Sequence, residues 1–176
     1  MKSSNELEYN KLTLKKKARK IKLVFSDIDG VLTDTGIYYS ERGEEFKRFS
    51  IRDGMGVVRL REITSIDTGI ITGELSGSVK KRAEKLKITE LYQGVEFKEI
   101  VFKEILKKHN LKAENIAFIG DDVNDIELLK LVGLSASPSD AIPHVKKIVD
   151  YVCQAKGGHG AFREFAELII KFNSSK

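Results

Sequence analysis

Asp27 and Asp29 are separated by a single residue and followed at once by Gly30, a setting that demands a chemical explanation. The run before them, Ile21-Lys22-Leu23-Val24-Phe25, is short, apolar and rich in β-branched and aromatic residues, and it reads as a buried strand. Carboxylates are seldom left in a core unless paired or metal-bound, so such a strand delivers both acids to the mouth of a site. Gly30 lets the chain turn sharply there. Three further stretches follow apolar runs in the same way: Thr72-Gly73-Glu74, the segment around Lys98, and Gly120-Asp121-Asp122-Val123-Asn124-Asp125.

Several carboxylates converging on one point repel one another, and a hard divalent cation relieves that repulsion. Mg²⁺ takes about six oxygen ligands, usually one or two carboxylates, waters and a substrate phosphate oxygen. Asp27 and Asp121 can supply side-chain oxygens and Asp29 a backbone carbonyl. His109, His144 and His159 are scattered and Cys153 is the lone cysteine, which argues against zinc. An aspartate held on Mg²⁺ can attack phosphorus and form an aspartyl-phosphate. Attack of an anion on an anion needs positive charge nearby, and Lys98 is the candidate. A second acid close to the nucleophile, Asp29, can protonate the leaving oxygen and then accept the proton of the hydrolytic water. Thr72 offers a hydroxyl and a backbone N–H to phosphoryl oxygens.

Each element alone has a plainer reading. D-x-D-G is an ordinary turn, G-D-D-x-x-D an acidic helix start, Thr72-Gly73 a turn, and Lys98 one surface lysine among many. Their value lies in combination, because the elements that carry them alternate. A polar, basic leader over residues 1–20, read as one helix, precedes the first strand. Residues 35–50, with short β-prone runs around a polar, Gly-containing centre, read as a hairpin insertion too small to be a domain. A helix opens at Arg52-Asp53-Gly54 with Val57, Leu60 and Ile63 as its apolar stripe. A strand follows over residues 66–71, then a helix with Val79, Ala83 and Leu86 on one face. A short strand over 90–93 precedes a helix over 97–109, with Ile100, Val101, Ile105 and Leu106 inward. Strands at 115–119, 133–136 and 150–152 alternate with helices carrying Ile126, Leu129 and Val132, and finally Phe162, Phe165, Ala166 and Ile169.

This order predicts an α/β fold: a doubly wound, Rossmann-like parallel sheet with helices on both faces and a small β-hairpin after the first strand. In such sheets ligands bind beyond the carboxyl ends of the strands, where Asp27, Asp29, Thr72, Lys98, Asp121, Asp122 and Asp125 all fall. The expected division is the leader, 1–20, and a single domain, 21–176, whose last part, 156–173, is a tail and helix.

At 176 residues the chain can bury roughly 70% of its unfolded surface as one domain. With 32% charged residues and no apolar run near the ~20 residues of a membrane span, it reads as a cytoplasmic protein without membrane contact. One cysteine permits no internal disulfide. The net charge of +5 sits largely in Lys15-Lys16-Lys17-Ala18-Arg19-Lys20, a solvated run with no recognition motif beside it, so no nucleic-acid partner is expected.

The stretches Asp27-Ile28-Asp29-Gly30-Val31-Leu32-Thr33-Asp34, Ile70-Ile71-Thr72-Gly73, Lys98 and Gly120-Asp121-Asp122-Val123-Asn124-Asp125 resemble the motifs of the haloacid dehalogenase-like phosphatases. Arg52-Asp53-Gly54, Leu91-Tyr92-Gln93-Gly94 and Gly157-Gly158-His159-Gly160-Ala161-Phe162-Arg163-Glu164 look like the capless subgroup typified by 3-deoxy-D-manno-octulosonate 8-phosphate (KDO 8-phosphate) phosphatase. The resemblance implies a Mg²⁺-dependent sugar-acid phosphatase working as a homotetramer, in which a neighbouring subunit replaces the missing cap. It makes Asp27 the nucleophile, Asp29 the acid/base, Thr72 and Lys98 the phosphate binders and Asp121 the metal ligand, with Asp122 and Asp125 supporting the metal site from outside. Thr33, Arg52, Gly73 and Arg163 join Glu74, Arg82 and Lys85 as substrate-binding candidates.

One departure bears on the substrate. The KDO-type sequences commonly carry arginine after the Thr-Gly pair, whereas this chain has Glu74. Glutamate accepts hydrogen bonds from hydroxyls and repels carboxylates. Together with Arg82 and Lys85 it looks like the branch acting on nine-carbon relatives such as 2-keto-3-deoxynononate 9-phosphate. The other reading makes Glu74 a surface partner of Lys80 or Lys81. Two further functions use similar parts. A receiver-type signalling domain also phosphorylates an aspartate beside Mg²⁺ and lysine, but needs an adjacent acidic pair at the first strand and not D-x-D. A non-catalytic subunit of the same fold would be expected to lack one of the residues named above.

Overall fold

The computed structural model describes residues 4–173, with side chains described from residue 11 onward. The helix α1 (Ser4–Ala18) leads into β1 (Leu23–Ser26). The hairpin follows as β2 (Thr33–Ser40) and β3 (Gly43–Phe49), then α2 (Ile51–Thr64), β4 (Asp67–Ile71), α3 (Gly77–Leu86), β5 (Leu91–Tyr92) and α4 (Lys98–His109). The remainder is β6 (Ile116–Ile119), α5 (Ile126–Leu131), β7 (Leu134–Ser137), α6 (Pro143–Ile148), β8 (Tyr151–Val152) and α7 (Ala161–Asn173).

Six strands form one parallel sheet in the order β5-β4-β1-β6-β7-β8, while β2 and β3 pair antiparallel with each other. Side chains of β1 alternate between the two faces. Val24 joins the core built by Val57, Leu60, Val79, Ala83, Phe162 and Phe165 of α2, α3 and α7. Leu23 and Phe25 join the core built by Phe102, Ile105, Leu128, Leu129 and Val145 of α4, α5 and α6. The sheet is thus wound on both sides, as expected.

Two apolar assignments are corrected. Ile63 is 41% exposed and Ile100 53% exposed. At about 100° per residue, Ile63 lies six positions beyond Val57 and has rotated off the buried stripe. In α4 the buried face consists of Lys98, Phe102 and Ile105, spaced i, i+4, i+7, which puts Ile100 on the opposite side. The sequence pattern concealed this face because its first member is a lysine.

The leader is more than a solvated arm. Ala18 is fully buried and Leu14 packs against the α2–α3–α7 core, while Lys17 pairs with Asp150 and Lys20 with Glu114. No helix among the described residues is long and apolar enough to cross a membrane.

Register is what assembles the site. Ser26 lies opposite Ile70 on β4 and Ile119 on β6, so the residues that follow these strands emerge at one level. Asp27 donates its N–H to the carbonyl of Ile119 at 3.0 Å, which carries the pairing one residue beyond the strand.

Candidate active site

Beyond the carboxyl ends of β1, β4 and β6 lies a cleft of about 250 Å³, walled by Asp27, Asp29, Thr72, Gly73, Glu74, Asp121 and Asp122, with Thr35, Ile37 and Asn124. Asp27 is held in two ways. Its Oδ1 accepts from the Ile28 N–H at 2.7 Å, and its Oδ2 faces the Lys98 ammonium at 2.9 Å. Lys98 Nζ also donates to Asp125 Oδ1 at 2.6 Å, and its side chain is 0% exposed. A lysine buried without partners would be costly, but here two carboxylates enclose it. Burial alone would lower its pKa; Asp27 and Asp125 outweigh that and raise it.

Asp125 occupies the third position of the short 3-10 turn Val123–Asp125, and its Oδ2 accepts from the N–H groups of Asp121 and Asp122. Both of its oxygens are therefore engaged, which suits a supporting role. Asp122 is exposed and caps that turn, accepting from the Val123 N–H at 2.6 Å. Asp121 differs from both. Its Oδ1 is buried and meets no hydrogen-bonding group among the described residues.

Oxygens of Asp27, Asp121 and Asp125 lie within 4.8 Å of one another. The charge imbalance is visible in their acidity. Asp27 is pushed up to about 7, first by burial and then by Asp125, against the pull of Lys98. Asp121 is pushed up to about 8, by burial first and then by Asp27, Asp125 and Asp122. Three acids with one ammonium and an unpartnered buried oxygen fit a hard divalent cation. Gly30 makes the close approach possible: its φ is +85°, and a Cβ there would stand 1.9 Å from Asp121 Oδ2.

Asp29 points into the cleft from the other side. The one hydroxyl proton of Thr33 is shared between its Oδ1 at 3.2 Å and the Ile28 carbonyl at 3.3 Å, so Thr33 shapes the turn beneath the acid. Its Oδ2 pairs with Lys47 of β3 at 2.6 Å, a lysine whose side chain is 0% exposed. The sequence reading missed Lys47. The folded hairpin inverts the usual polarity at Glu45-Phe46-Lys47: Phe46 is 68% exposed and Lys47 turns inward.

Thr72 is buried, and its Oγ1 accepts from the Glu74 N–H at 3.4 Å. Thr35 has φ +65°, unusual for a β-branched residue, at the cleft wall. Glu74 is exposed on the wall and makes no ion pair among the described residues, with Lys80 and Lys81 or any other cation.

The remaining candidates do not reach this cleft within one chain. Arg82 donates to the Ser50 carbonyl at 2.8 Å and lies over the Phe49 ring, bracing the β3–α2 junction. Lys85 is exposed on α3. Arg52 lines a separate cleft with Arg48 and His159. Arg163 pairs with Glu167, while its N–H and that of Gly160 donate to the two oxygens of Asp53, tying the start of α7 to α2. The tail loop packs on the β1 turn, where Gly158 donates to the Val31 carbonyl.

Comparison with known proteins agrees with this geometry. Residues 71–164 match the model of the haloacid dehalogenase-like hydrolase family. The 3-deoxy-D-manno-octulosonate 8-phosphate phosphatase of Escherichia coli is 42% identical over 154 residues, which span 88% of this chain and 81% of that protein. A structure of a HAD superfamily, subfamily III A, protein from Legionella pneumophila superposes with a TM-score of 0.92 at 36% identity, covering 97% of this chain and 93% of the other. The KDO 8-phosphate phosphatase of Moraxella catarrhalis, solved with magnesium, phosphate and KDO, superposes with a TM-score of 0.87 at 35% identity over 91% of each chain.

Proposed function

Because the chain belongs to the haloacid dehalogenase-like hydrolases, we propose that it is a Mg²⁺-dependent phosphatase that hydrolyses the phosphomonoester of a 3-deoxy-2-ulosonic acid phosphate. One observation carries this reading: a wholly buried lysine, Lys98, bridges Asp27 and Asp125 beside the unpartnered oxygen of Asp121. Asp27, Asp121 and the backbone carbonyl of Asp29 would hold the Mg²⁺ ion, which, when bound, supplies the positive charge that lets an anionic nucleophile meet a phosphate.

The protein's own groups do the rest. Asp27, fixed by the Ile28 N–H and Lys98, attacks phosphorus in line with the leaving sugar oxygen. As that P–O bond breaks, the departing oxygen takes a proton from Asp29, and the phosphoryl group remains on Asp27. Thr72 and the turn at Gly73 hold phosphoryl oxygens. Neither the backbone angle nor packing requires glycine at 73, where a Cβ would come no closer than 3.7 Å to the Val95 carbonyl, and the missing side chain leaves the backbone there open to an approaching phosphoryl group. Water then attacks the aspartyl-phosphate, gives a proton to Asp29 and releases phosphate.

Glu74 on the cleft wall favours a substrate that offers hydroxyls at this point, the nine-carbon acid over the eight-carbon one. Residues 21–176 form the catalytic unit, and the chain works as a cytoplasmic homotetramer. Supporting assembly, Tyr38, Tyr39 and Phe46 of the hairpin are 62%, 67% and 68% exposed. In that assembly Arg52, Arg82, Lys85 and Arg163 serve the site of a neighbouring copy. The test is phosphate release from eight- and nine-carbon ulosonic acid phosphates with Mg²⁺. Asp27→Asn should abolish turnover, and undiminished activity would sink the mechanism. Glu74→Arg should move preference towards the eight-carbon substrate, and equal preference in both proteins would remove Glu74 from the argument.

A further inference from the structure

Among the described residues, two lysines pair with carboxylates that line the cleft: Lys98 with Asp27, and Lys47 with Asp29. The first belongs to the phosphatase reading above. The second comes from outside the parallel sheet, on the hairpin strand β3, and its side chain is as fully buried as that of Lys98. An ammonium removed from water costs several kcal/mol unless well-placed acceptors surround it. A leucine would fill a position between hairpin and sheet without that cost, so packing does not account for the lysine.

Its surroundings show what it does. Asp29 has one donor on each oxygen, Lys47 Nζ on Oδ2 at 2.6 Å and Thr33 Oγ1 on Oδ1 at 3.2 Å, which together fix the plane of the carboxyl group. Lys47 is itself steadied by Glu44 Oε2 at 3.5 Å, and the other oxygen of Glu44 accepts from Ser76, the residue that caps α3. A partly buried chain of contacts thus runs from the start of α3 through Glu44 and Lys47 to Asp29. Sequence separations along it are 32 residues from Ser76 to Glu44 and 18 from Lys47 to Asp29, so only the folded hairpin creates it.

We infer that Lys47 is a positioning residue for proton transfer: its ammonium holds the Asp29 carboxyl group in the orientation from which it protonates the leaving oxygen and later receives the proton of water. The inference rests on the assignment of Asp29 as acid/base. Lys47 exchanges no proton with the substrate. The bonds made and broken are those of Asp27, phosphorus, the sugar oxygen and water, and the proton moves only to and from Asp29.

The experiment uses the full chain with Mg²⁺ and two substrates, a ulosonic acid phosphate and 4-nitrophenyl phosphate. Lys47→Met should lower kcat on the sugar phosphate by roughly 10- to 100-fold, the size seen when a supporting partner of a reacting group is lost, with KM moved by less than about 3-fold. Nitrophenolate leaves without a proton, so the same variant should show a burst of about one nitrophenolate per site, then slow turnover while water attacks without a well-placed base. Lys47→Arg, which keeps a cation, should recover most of the rate. Lys47→Gln carries the same comparison should Lys47→Met not fold. Wild-type kcat in Lys47→Met, a loss confined to KM, or equal loss on both substrates without a burst would overturn the inference. Asp29→Asn separates the two readings. If it is inactive while Lys47→Met is normal, only the positioning role fails; if it turns over normally, the acid/base assignment fails and this inference with it.

Discussion

Stripping the divalent cation from this protein should make it lose stability as the pH rises. Asp27 and Asp121 have an ordinary value of 3.8 in the unfolded chain and are pushed up in the fold to about 7 and about 8, by burial first and by neighbouring carboxylates second. Both are raised, so between these limits the metal-free fold holds protons that the unfolded chain releases, and unfolding gains as the pH climbs. Each pKa unit corresponds to about 1.36 kcal/mol. The two acids repel each other and share part of that effect, so the pair together should cost on the order of 4 kcal/mol between pH 5 and pH 8. For a chain of this size, about 1 kcal/mol moves Tm by roughly 2–4 °C, giving a fall of roughly 8–16 °C. Thermal unfolding in EDTA across that range measures it. Mg²⁺ replaces the protons, so its stabilisation should be larger at pH 8 than at pH 5. Asp121→Asn, which removes one of the repelling acids, should flatten the profile. Equal melting in EDTA at both pH values, or an equal Mg²⁺ shift at both, would refute the reasoning.

Other perturbations probe separate parts of the fold. Gly30→Ala places a methyl group 1.9 Å from Asp121 Oδ2 at φ +85°; it should destabilise the fold by roughly 1–3 kcal/mol and weaken Mg²⁺ binding, as calorimetry would show. Asp53→Asn removes charge from the acceptor of the Gly160 and Arg163 N–H groups, and should cost about 1–2 kcal/mol in denaturant unfolding while increasing hydrogen exchange in the tail loop. Phe46→Glu on the exposed face of the hairpin should convert the proposed tetramer to smaller species in analytical ultracentrifugation, with little change in the melting temperature of the isolated chain.

The alternation of strands and helices was legible because most strands of the parallel sheet are short apolar runs that stop at a glycine, an acid or a proline. Of the two-residue strands, β5 is bracketed by Glu90 and Gly94, and β8 is preceded by Asp150. Asp27, Asp29, Thr72, Glu74 and Asp121 were legible for the same reason: a parallel sheet sends its strand ends to one edge. Lys98 was identified, but its complete burial was not, since a helix that begins its inward face with lysine looks amphipathic in the wrong direction. Lys47 was invisible because its role depends on the hairpin folding back over β1, a long-range fact that local periodicity does not carry. Arg82 shows the converse. Eight positions after Glu74 in sequence, it turns within its own chain to Ser50, a direction fixed by the packing of α3 against the hairpin.

The central place of β1 has a consequence for biosynthesis. This strand is the first of the sheet to be made, yet it lies between β4 and β6, and the Ile119 carbonyl that receives the Asp27 N–H comes roughly 90 residues later. At ~5–20 residues per second, an emerging chain carries the β6-facing edge of an apolar strand unpaired for roughly 5–20 s, and the β4-facing edge for about half as long. Unpaired edges of that kind invite association with other chains. The positive residues crowded just ahead of it, from Lys15 to Lys22, are of the kind that oppose such association when they flank an aggregation-prone segment. In the folded chain two of them, Lys17 and Lys20, pair with Asp150 and Glu114, so the same charges also serve the finished fold.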